Sequence, residues 1–170
     1  IFLNQLSAII GQDAMQNSVK EYYKTWQFKH PEPRDFKLIA ENESDMQLGW
    51  YFNYFINTTR SLDYAIIDVE KSKKKTIVNI KNDGDFPMPM DVIINKNDGE
   101  TFIYHIPLEM TMGNKISKED DIVIVLDNWP WTRPEYQITL DFDKKDIESI
   151  VIDPRRRTMD LDRYNNYYPP

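Results

Sequence analysis

Cysteine is absent from this 170-residue sequence, and histidine occurs only at His30 and His105. The first absence excludes disulfides, thiolate metal sites and cysteine nucleophiles. A zinc-hydrolase site of the H-E-x-x-H type needs two histidines one helical turn apart with a glutamate beside the first, and the sequence has no such pattern. We therefore predict no catalytic, cofactor-binding or metal-binding residue in this chain. His30 is interpreted as a turn residue and His105 as a strand residue.

Glycine and long apolar runs are also scarce. The five glycines are not spaced as in a phosphate-binding loop, and there is no G-x-S-x-G nucleophile motif. The longest apolar cluster, WYFNYFI, is interrupted by Asn53 and is much shorter than the roughly 20 residues of a membrane-spanning helix. The formal net charge of -7 comes from interspersed acidic and basic residues, which disfavours a nucleic-acid-binding surface. We predict no membrane span and no nucleic-acid partner.

Aromatic residues, in contrast, are concentrated in residues 34–59. Together with Leu48 they form two rows at helical spacing: Leu48, Tyr51, Phe52 and Phe55 in the first, and Trp50 and Tyr54 in the second. A helix with this pattern is apolar around most of its circumference and has to be buried on two sides. We therefore expect this helix to be central to the packing of the chain.

Four helices are predicted from apolar spacing and end signals. They cover residues 2–10, residues 14–28, a segment that begins at Pro33, and the aromatic segment after Ser44 or Asp45. Gly11 ends the first helix and Asp13 is the expected N-cap of the second. Proline is favoured in the first turn of a helix, which places Pro33 at the start of the third. Short connections between the four imply antiparallel helix pairs.

The pattern changes to short β-rich segments after residue 59. Strands are predicted at 64–69, 76–80, 90–94, 101–106, 121–126, 136–142 and 147–152. The turn Asn97-Asp98-Gly99 separates two of them and is a strong hairpin signal. The sequence therefore predicts an α+β chain in two segregated parts. The helical part covers residues 1–60, and an antiparallel immunoglobulin- or fibronectin-like β-sandwich with a C-terminal tail covers residues 61–170.

One loop candidate for recognition is the segment Trp129-Pro130-Trp131-Thr132-Arg133-Pro134. Two tryptophans held by prolines outside a strand could stack on a glycan or a protein partner. Trp129, Trp131 and Arg133 are therefore a candidate interaction surface. The alternative is a loop folded back over the sheet edge, which the usual burial of tryptophan favours.

Two charged clusters have simple alternatives to a binding role. Glu119-Asp120-Asp121 could bind calcium through carboxylate oxygens, but it lacks EF-hand spacing, so a hydrated loop is the favoured interpretation. Arg155-Arg156-Arg157 could clamp a carboxylate. Asp153, Asp160 and Asp162 lie close to these arginines in sequence, and we favour ion pairing within a solvated tail.

Several short motifs occur in the order found in a known family. In the helical part these are residues 22–28, Asp35-Phe36, Glu41, Ser44, Leu48, Tyr51-Phe52 and Phe55; in the β part they are residues 86–91, Ile106-Pro107-Leu108, Trp129-Pro130-Trp131, Asp153-Pro154 and residues 163–166. In this order they resemble the M1 family of zinc aminopeptidases, gluzincins of the aminopeptidase N type, in a bacterial branch. The resemblance implies the end of the catalytic domain followed by a β-sandwich domain.

The family's zinc ligands, general base and transition-state-stabilising tyrosine correspond to positions upstream of Ile1. The resemblance therefore implies a C-terminal fragment of a zinc metallopeptidase, which supports an upstream catalytic domain of the same polypeptide and does not itself hydrolyse peptides. Zinc and peptide substrates would belong to the parent, for which a periplasmic or secreted location is favoured. The isolated fragment is expected to expose an apolar patch or to form a dimer that hides it. A non-catalytic β-sandwich binding module and an inactive peptidase homologue are the alternatives.

Overall fold

The computed structural model describes residues 1–111, 123–130 and 132–169. These residues form four α-helices and eight β-strands in two mainly antiparallel sheets. The predicted mixed α+β class is therefore confirmed. The chain divides into two compact units, which we call the helical unit and the sheet unit. The helical unit contains Ile1–Thr59 together with Met110 and Thr111, and the sheet unit contains Arg60–Glu109 and the described residues from 123 onward.

All four predicted helices are present. They are α1 (Phe2–Ile10), α2 (Gln12–Trp26), α3 (Pro33–Ser44) and α4 (Gly49–Asn57). Pro33 opens α3 as predicted, and Glu32 and Asp35 form a reciprocal capping box at its start. The predicted cap of α2 is wrong, because Gly11 and not Asp13 occupies the N-cap position. Asp13 lies in the first turn, where its charge still complements the helix dipole.

The predicted start of the aromatic helix α4 is also wrong. Ser44 is the last residue of α3 and donates its hydroxyl to the Ala40 carbonyl, while Asp45 ends α3 in the left-handed conformation at φ 54. The helix α4 begins only after Leu48, whose backbone N–H donates to a Glu41 carboxylate oxygen at 2.8 Å. Leu48 occupies the N-cap position and has no side chain that could accept a hydrogen bond, so the Glu41 carboxylate anchors the residue before the helix and the predicted Ser or Asp cap is not formed.

The strands form one three-stranded and one five-stranded sheet. The first has the order β1 (Tyr64–Ser72), β2 (Lys75–Asn82), β6 (Glu135–Leu140); the second has the order β5 (Val123–Val125), β4 (Thr101–Ile106), β3 (Met90–Lys96), β7 (Ile147–Ile152), β8 (Tyr167–Tyr168). Each predicted strand corresponds to one of these, although residues 121 and 122 of the fifth lie outside the described residues. The predicted hairpin at Asn97-Asp98-Gly99 joins β3 to β4, and Gly99 adopts the positive φ of 89 that this turn requires.

One strand pairing differs from the antiparallel prediction. Strand β5 runs parallel to β4, with Tyr104 opposite Ile124. Residues 107–122 connect the two strands, and a connection of that length allows the chain to return in the same direction. The short strand β8, which pairs with β7, was not predicted, because two tyrosines next to prolines carry no strand periodicity.

The core of the sheet unit is built from alternating positions of its strands. In β3 the buried residues are Met90, Val92 and Ile94, and in β7 they are Ile150 and Ile152, with Ile147 beyond a register shift of the β3–β7 pairing. The largest buried ring near the start of β1 is that of Tyr64, whose hydroxyl donates to the Met88 carbonyl at 3.0 Å and accepts from the Met88 N–H at 2.8 Å. This reciprocal pair satisfies the hydroxyl inside the core.

Candidate functional site

Trp129 of the candidate interaction surface belongs to the core of the sheet unit. The residue is 4% exposed, and its ring packs against those of Tyr64 and Tyr136 with centroid distances of 5.5 and 5.2 Å. Its indole Nε1 donates to the Arg133 carbonyl at 2.8 Å. The protein thus encloses this ring, which leaves little surface on which a glycan could stack. The arrangement matches the alternative of a loop folded back onto the sheet.

The other two members of that surface are placed differently. The side chain of Arg133 is exposed, and its backbone carbonyl holds Trp129. Trp131 lies outside the described residues, as do Glu119, Asp120 and Asp121. The structure therefore brings Trp129 and Arg133 together through a backbone contact, and a binding role for Arg133 and Trp131 stays a prediction.

The two histidines lie in different units. His30 is an exposed residue of the connection between α2 and α3. His105 lies opposite Asp91 across strands β4 and β3, with 2.6 Å between its Nδ1 and the Asp91 Oδ1. In the described part of the chain, no three His, Cys, Asp or Glu side chains converge as a metal site would require. The His105–Asp91 pair links two neighbouring strands.

The arginine-rich tail is organised around Asp153. The Asp153 carboxylate accepts from the backbone N–H groups of Arg157 and Thr158 at 2.9 and 2.8 Å, and it lies 3.6 Å from Arg163 Nη1. Arg156 approaches the Tyr167 hydroxyl at 3.5 Å. These contacts hold the turn after β7, and they use the carboxylate of Asp153 within the tail.

Asp160 is buried, unlike a residue of a solvated tail. It is 9% exposed, and its Oδ2 accepts from the backbone N–H of Tyr64 at 3.0 Å. Burial raises the pKa of the Asp160 carboxyl, and the charge of Asp63 adds to the rise. Sequence reasoning missed this cluster because Asp63 and Asp160 are nearly one hundred residues apart. The only sequence signal was an Asp-rich, Asn-rich tail in a chain that otherwise ends in tyrosine and proline.

The helical unit is organised by the aromatic face of α4. The ring of Phe2 lies 5.2 Å from that of Tyr51 and 5.0 Å from those of Phe52 and Phe55. The Tyr51 hydroxyl donates to the Phe2 carbonyl at 2.8 Å, and burial raises the pKa of Tyr51 well above its usual value of 10.0. The apolar spacing predicted this face of α4, and α1 covers it.

Several apolar side chains of the helical unit are nevertheless exposed. The exposed residues are Ile1, Leu3, Val19, Tyr23, Phe28, Leu38 and Ile56. Phe28 is 99% exposed. It follows α2 in the left-handed conformation, at φ 63, which is unfavourable for a phenylalanine. Val19 and Tyr23 lie one helical turn apart on α2, and Phe28 follows that helix.

None of the helices in the described residues has both the length and the apolar character needed to cross a bilayer. A scan against protein-family models finds no family that matches this chain, and no curated protein matches it.

Proposed function

We propose that this chain is a C-terminal, non-catalytic part of an M1-like zinc metallopeptidase, and that it supports the catalytic domain. Three features support the proposal: the ordered motifs that resemble the family, the succession of four helices and then β-strands along the chain, and the apolar side chains exposed on the helices. The third feature carries most of the argument, because it is independent of the resemblance.

The exposed apolar residues of the helical unit are the physical basis of the proposal. A helical segment from the end of a larger catalytic domain has to keep apolar side chains for the body on which it packs. Tyr23 is 68% exposed and Phe28 is 99% exposed in this chain. Fully burying a large apolar side chain is worth roughly 1.5–3 kcal/mol, so several such residues supply a strong drive to associate. In this proposal their partner is the upstream catalytic domain of the same polypeptide.

We also infer that the two sheets face each other as an immunoglobulin- or fibronectin-like sandwich, in a domain of its own that follows the helices. The alternation of buried residues supports this inference. Strand β6 of the three-stranded sheet buries Ile138 and Leu140, and strand β7 of the five-stranded sheet buries Ile150 and Ile152. Each sheet therefore has an apolar face that requires a cover, and the apolar face of the other sheet is a suitable one.

The described residues do not fit the zinc site of that family. The two histidines lie in different units, and the carboxylates near them supply no convergent set of ligands. No step of peptide hydrolysis is therefore assigned to a residue of this chain. In this proposal zinc binding, water activation and recognition of the peptide belong to the upstream segment.

The coding sequence upstream of Ile1 provides the first test. We expect it to encode H-E-x-x-H with a further glutamate downstream. An upstream sequence of the same family type without these ligands would indicate an inactive homologue, and an unrelated upstream sequence would overturn the proposal in favour of a binding module.

A second test uses the purified 170-residue chain. We expect no hydrolysis of aminoacyl-nitroanilide substrates and no stoichiometric zinc by metal analysis after dialysis. We expect the same substrates to be hydrolysed by the longer polypeptide that includes the upstream segment. Turnover by the 170-residue chain alone would contradict the assignment of catalysis to the upstream part.

A further inference from the structure

Strand β6 is an edge of the three-stranded sheet, and it pairs with β2 alone. The N–H of Asn82 donates to the Pro134 carbonyl at 2.7 Å. In an antiparallel pair, successive residues turn their backbone groups to opposite sides, so this bond fixes the direction of every backbone group in β6. The residues that face β2 are Tyr136, Ile138 and Leu140, and those whose N–H and C=O groups point away from the sheet are Glu135, Gln137 and Thr139.

The outward side of β6 is open to another strand. Glu135, Gln137 and Thr139 are all exposed. In the part of the chain that the structure describes, their outward backbone groups have no hydrogen-bond partner. A row of unpaired N–H and C=O groups along an exposed edge is a template for pairing with a further strand.

The opposite edge of the same sheet is occupied. On β1 the N–H of Tyr64 donates to Asp160 of the tail at 3.0 Å, and the Lys144 ammonium donates to the Val69 carbonyl at 2.6 Å. In the five-stranded sheet, the edge strand β8 has two residues and is followed by Pro169, which has no N–H to donate. Among these edges, β6 is therefore the one that can accept a strand along its length.

The side chains of β6 complement those of a second β6 that runs in the opposite direction. With a two-fold axis at Gln137, Glu135 lies opposite Thr139 of the second copy, whose hydroxyl can donate to the carboxylate, and the two Gln137 amides face each other. Moving the axis to Glu135 sets two glutamates opposite each other, and moving it to Ile138 sets Glu135 opposite Asp141. Like charges directly opposite are destabilising, so the charges select the axis at Gln137.

The charges that flank the strand favour the same arrangement. Arg133 precedes β6 and is exposed, and the side chain of Asp141, which follows it, is 83% exposed although it contacts Lys75 at 2.6 Å. Antiparallel pairing brings the start of one strand beside the end of the other, so Arg133 approaches Asp141 of the second copy. Parallel pairing would instead bring each charge beside its own equivalent.

We propose that β6 pairs with β6 of a second copy of this chain, antiparallel and centred on Gln137, so that the three-stranded sheets of two copies continue into each other. Each outward residue then donates one backbone hydrogen bond and accepts one, and the two copies use the same surface, as in other two-fold dimers. Because a single strand edge is a small contact, we expect the dimer to be weak and to depend on concentration. This inference does not rest on the proposed function.

The first test is sedimentation velocity of the 170-residue chain from about 10 µM to 1 mM, a range that covers weak dimers. We expect a reversible monomer–dimer equilibrium. Amide hydrogen exchange, followed residue by residue, locates the contact. We expect exchange at Gln137 and Thr139 to slow by about fivefold or more between the lowest and the highest concentration. Unchanged exchange at both residues while the chain dimerises would overturn the proposal.

The second test changes the residue at the two-fold axis. Gln137→Lys and Gln137→Glu each set like charges opposite each other, and we expect each to weaken dimer formation by about fivefold or more. An equimolar mixture of the two variants should restore it, because Lys then lies opposite Glu. The control is Asn79→Lys on β2, which adds the same charge one strand further in and removes the same hydrogen bond, from Gln137 Nε2 to Asn79 Oδ1 at 3.0 Å. We expect this control to dimerise as the unmodified chain does.

Three results would count against the pairing. The first is the absence of any dimer of the unmodified chain at the highest concentration. The second is a mixture of Gln137→Lys and Gln137→Glu that dimerises no better than either variant alone. The third is a dimer that Phe28→Gly weakens and Gln137→Lys leaves unchanged, because such a dimer would use the exposed apolar surface of the helical unit and not β6.

Discussion

The helical unit and the sheet unit differ in how many of their apolar side chains they bury. Among the described residues, the helical unit buries nine apolar side chains and exposes seven large ones, whereas the sheet unit buries twenty and exposes six. The sheet unit thus encloses most of its large apolar side chains. The helical unit leaves almost as many large apolar side chains in solvent as it buries. The difference is the one that the proposed docking of the helices on an upstream domain would require.

The two units also differ in how they hold their central aromatic residue. In the sheet unit, Tyr64 and Trp129 are surrounded by other core side chains, and both polar atoms bond to the backbone. In the helical unit, Tyr51 is buried by Phe2 and by residues of its own helix. Tyr51 thus lies between two nine-residue helices, which have little stability without their packing. We therefore expect the helical unit to unfold first.

The largest expected effect is the loss of the Trp129 ring. Trp129→Ala should lower the free energy of unfolding of the sheet unit by about 3–5 kcal/mol, because it leaves a cavity beside Tyr64 and Tyr136. Arg133→Ala keeps the backbone carbonyl that accepts from the indole, so it should change the free energy of unfolding by less than about 0.5 kcal/mol. Urea unfolding followed by tyrosine and tryptophan fluorescence measures both. A small effect of Trp129→Ala would mean that the ring is not part of the core.

A smaller effect is expected at Tyr51 in the helical unit. Tyr51→Phe removes the hydrogen bond to the Phe2 carbonyl and should cost about 0.5–1.5 kcal/mol at neutral pH. The pKa of Tyr51 is raised in the folded state, so its contribution is complete below pH 10 and is lost as the pH rises further. Urea unfolding at neutral and at alkaline pH, followed by the circular dichroism signal of the helices, measures this contribution to the free energy of unfolding.

The matched variant for that experiment is Tyr64→Phe in the sheet unit, because burial raises the pKa of Tyr64 too. We expect Tyr51→Phe to reduce the alkaline loss of helix signal and Tyr64→Phe to leave that loss in place. If Tyr51→Phe loses as much helix signal at alkaline pH as the unmodified chain does, ionisation of Tyr51 is not the cause of that loss.

The smallest expected effect sharpens the comparison of exposed surfaces. Phe28→Gly relieves a left-handed phenylalanine, and after the entropy cost of glycine it should stabilise the helical unit by about 0.5–1 kcal/mol. It should also reduce binding of a hydrophobic dye, or dimer formation, by the 170-residue chain. Tyr164→Gly in the sheet unit, where Tyr164 is likewise exposed, serves as the control. Equal dye binding by all three proteins would remove the evidence that the helical unit presents the docking surface.

The sequence by itself determined the kind and position of most elements, because helix and strand periodicity and turn residues act over short stretches of chain. Examples are Pro33 at the start of α3, the aromatic row on α4 and the hairpin at Gly99. The start of α4 was predicted wrongly because Leu48, which precedes the helix, is anchored by Glu41 of the preceding helix and not by a local cap.

Only the tertiary structure decided the remaining features, because each depends on contacts between residues far apart in the chain. The parallel pairing of β5 with β4 joins residues about twenty apart in the chain, such as Tyr104 and Ile124, and the burial of Trp129 required rings from β1 and β6. The meeting of Asp63 with Asp160 required the tail to return to β1. Local composition describes what a side chain can do, and the long-range packing decides whether solvent, the core or another charge surrounds it.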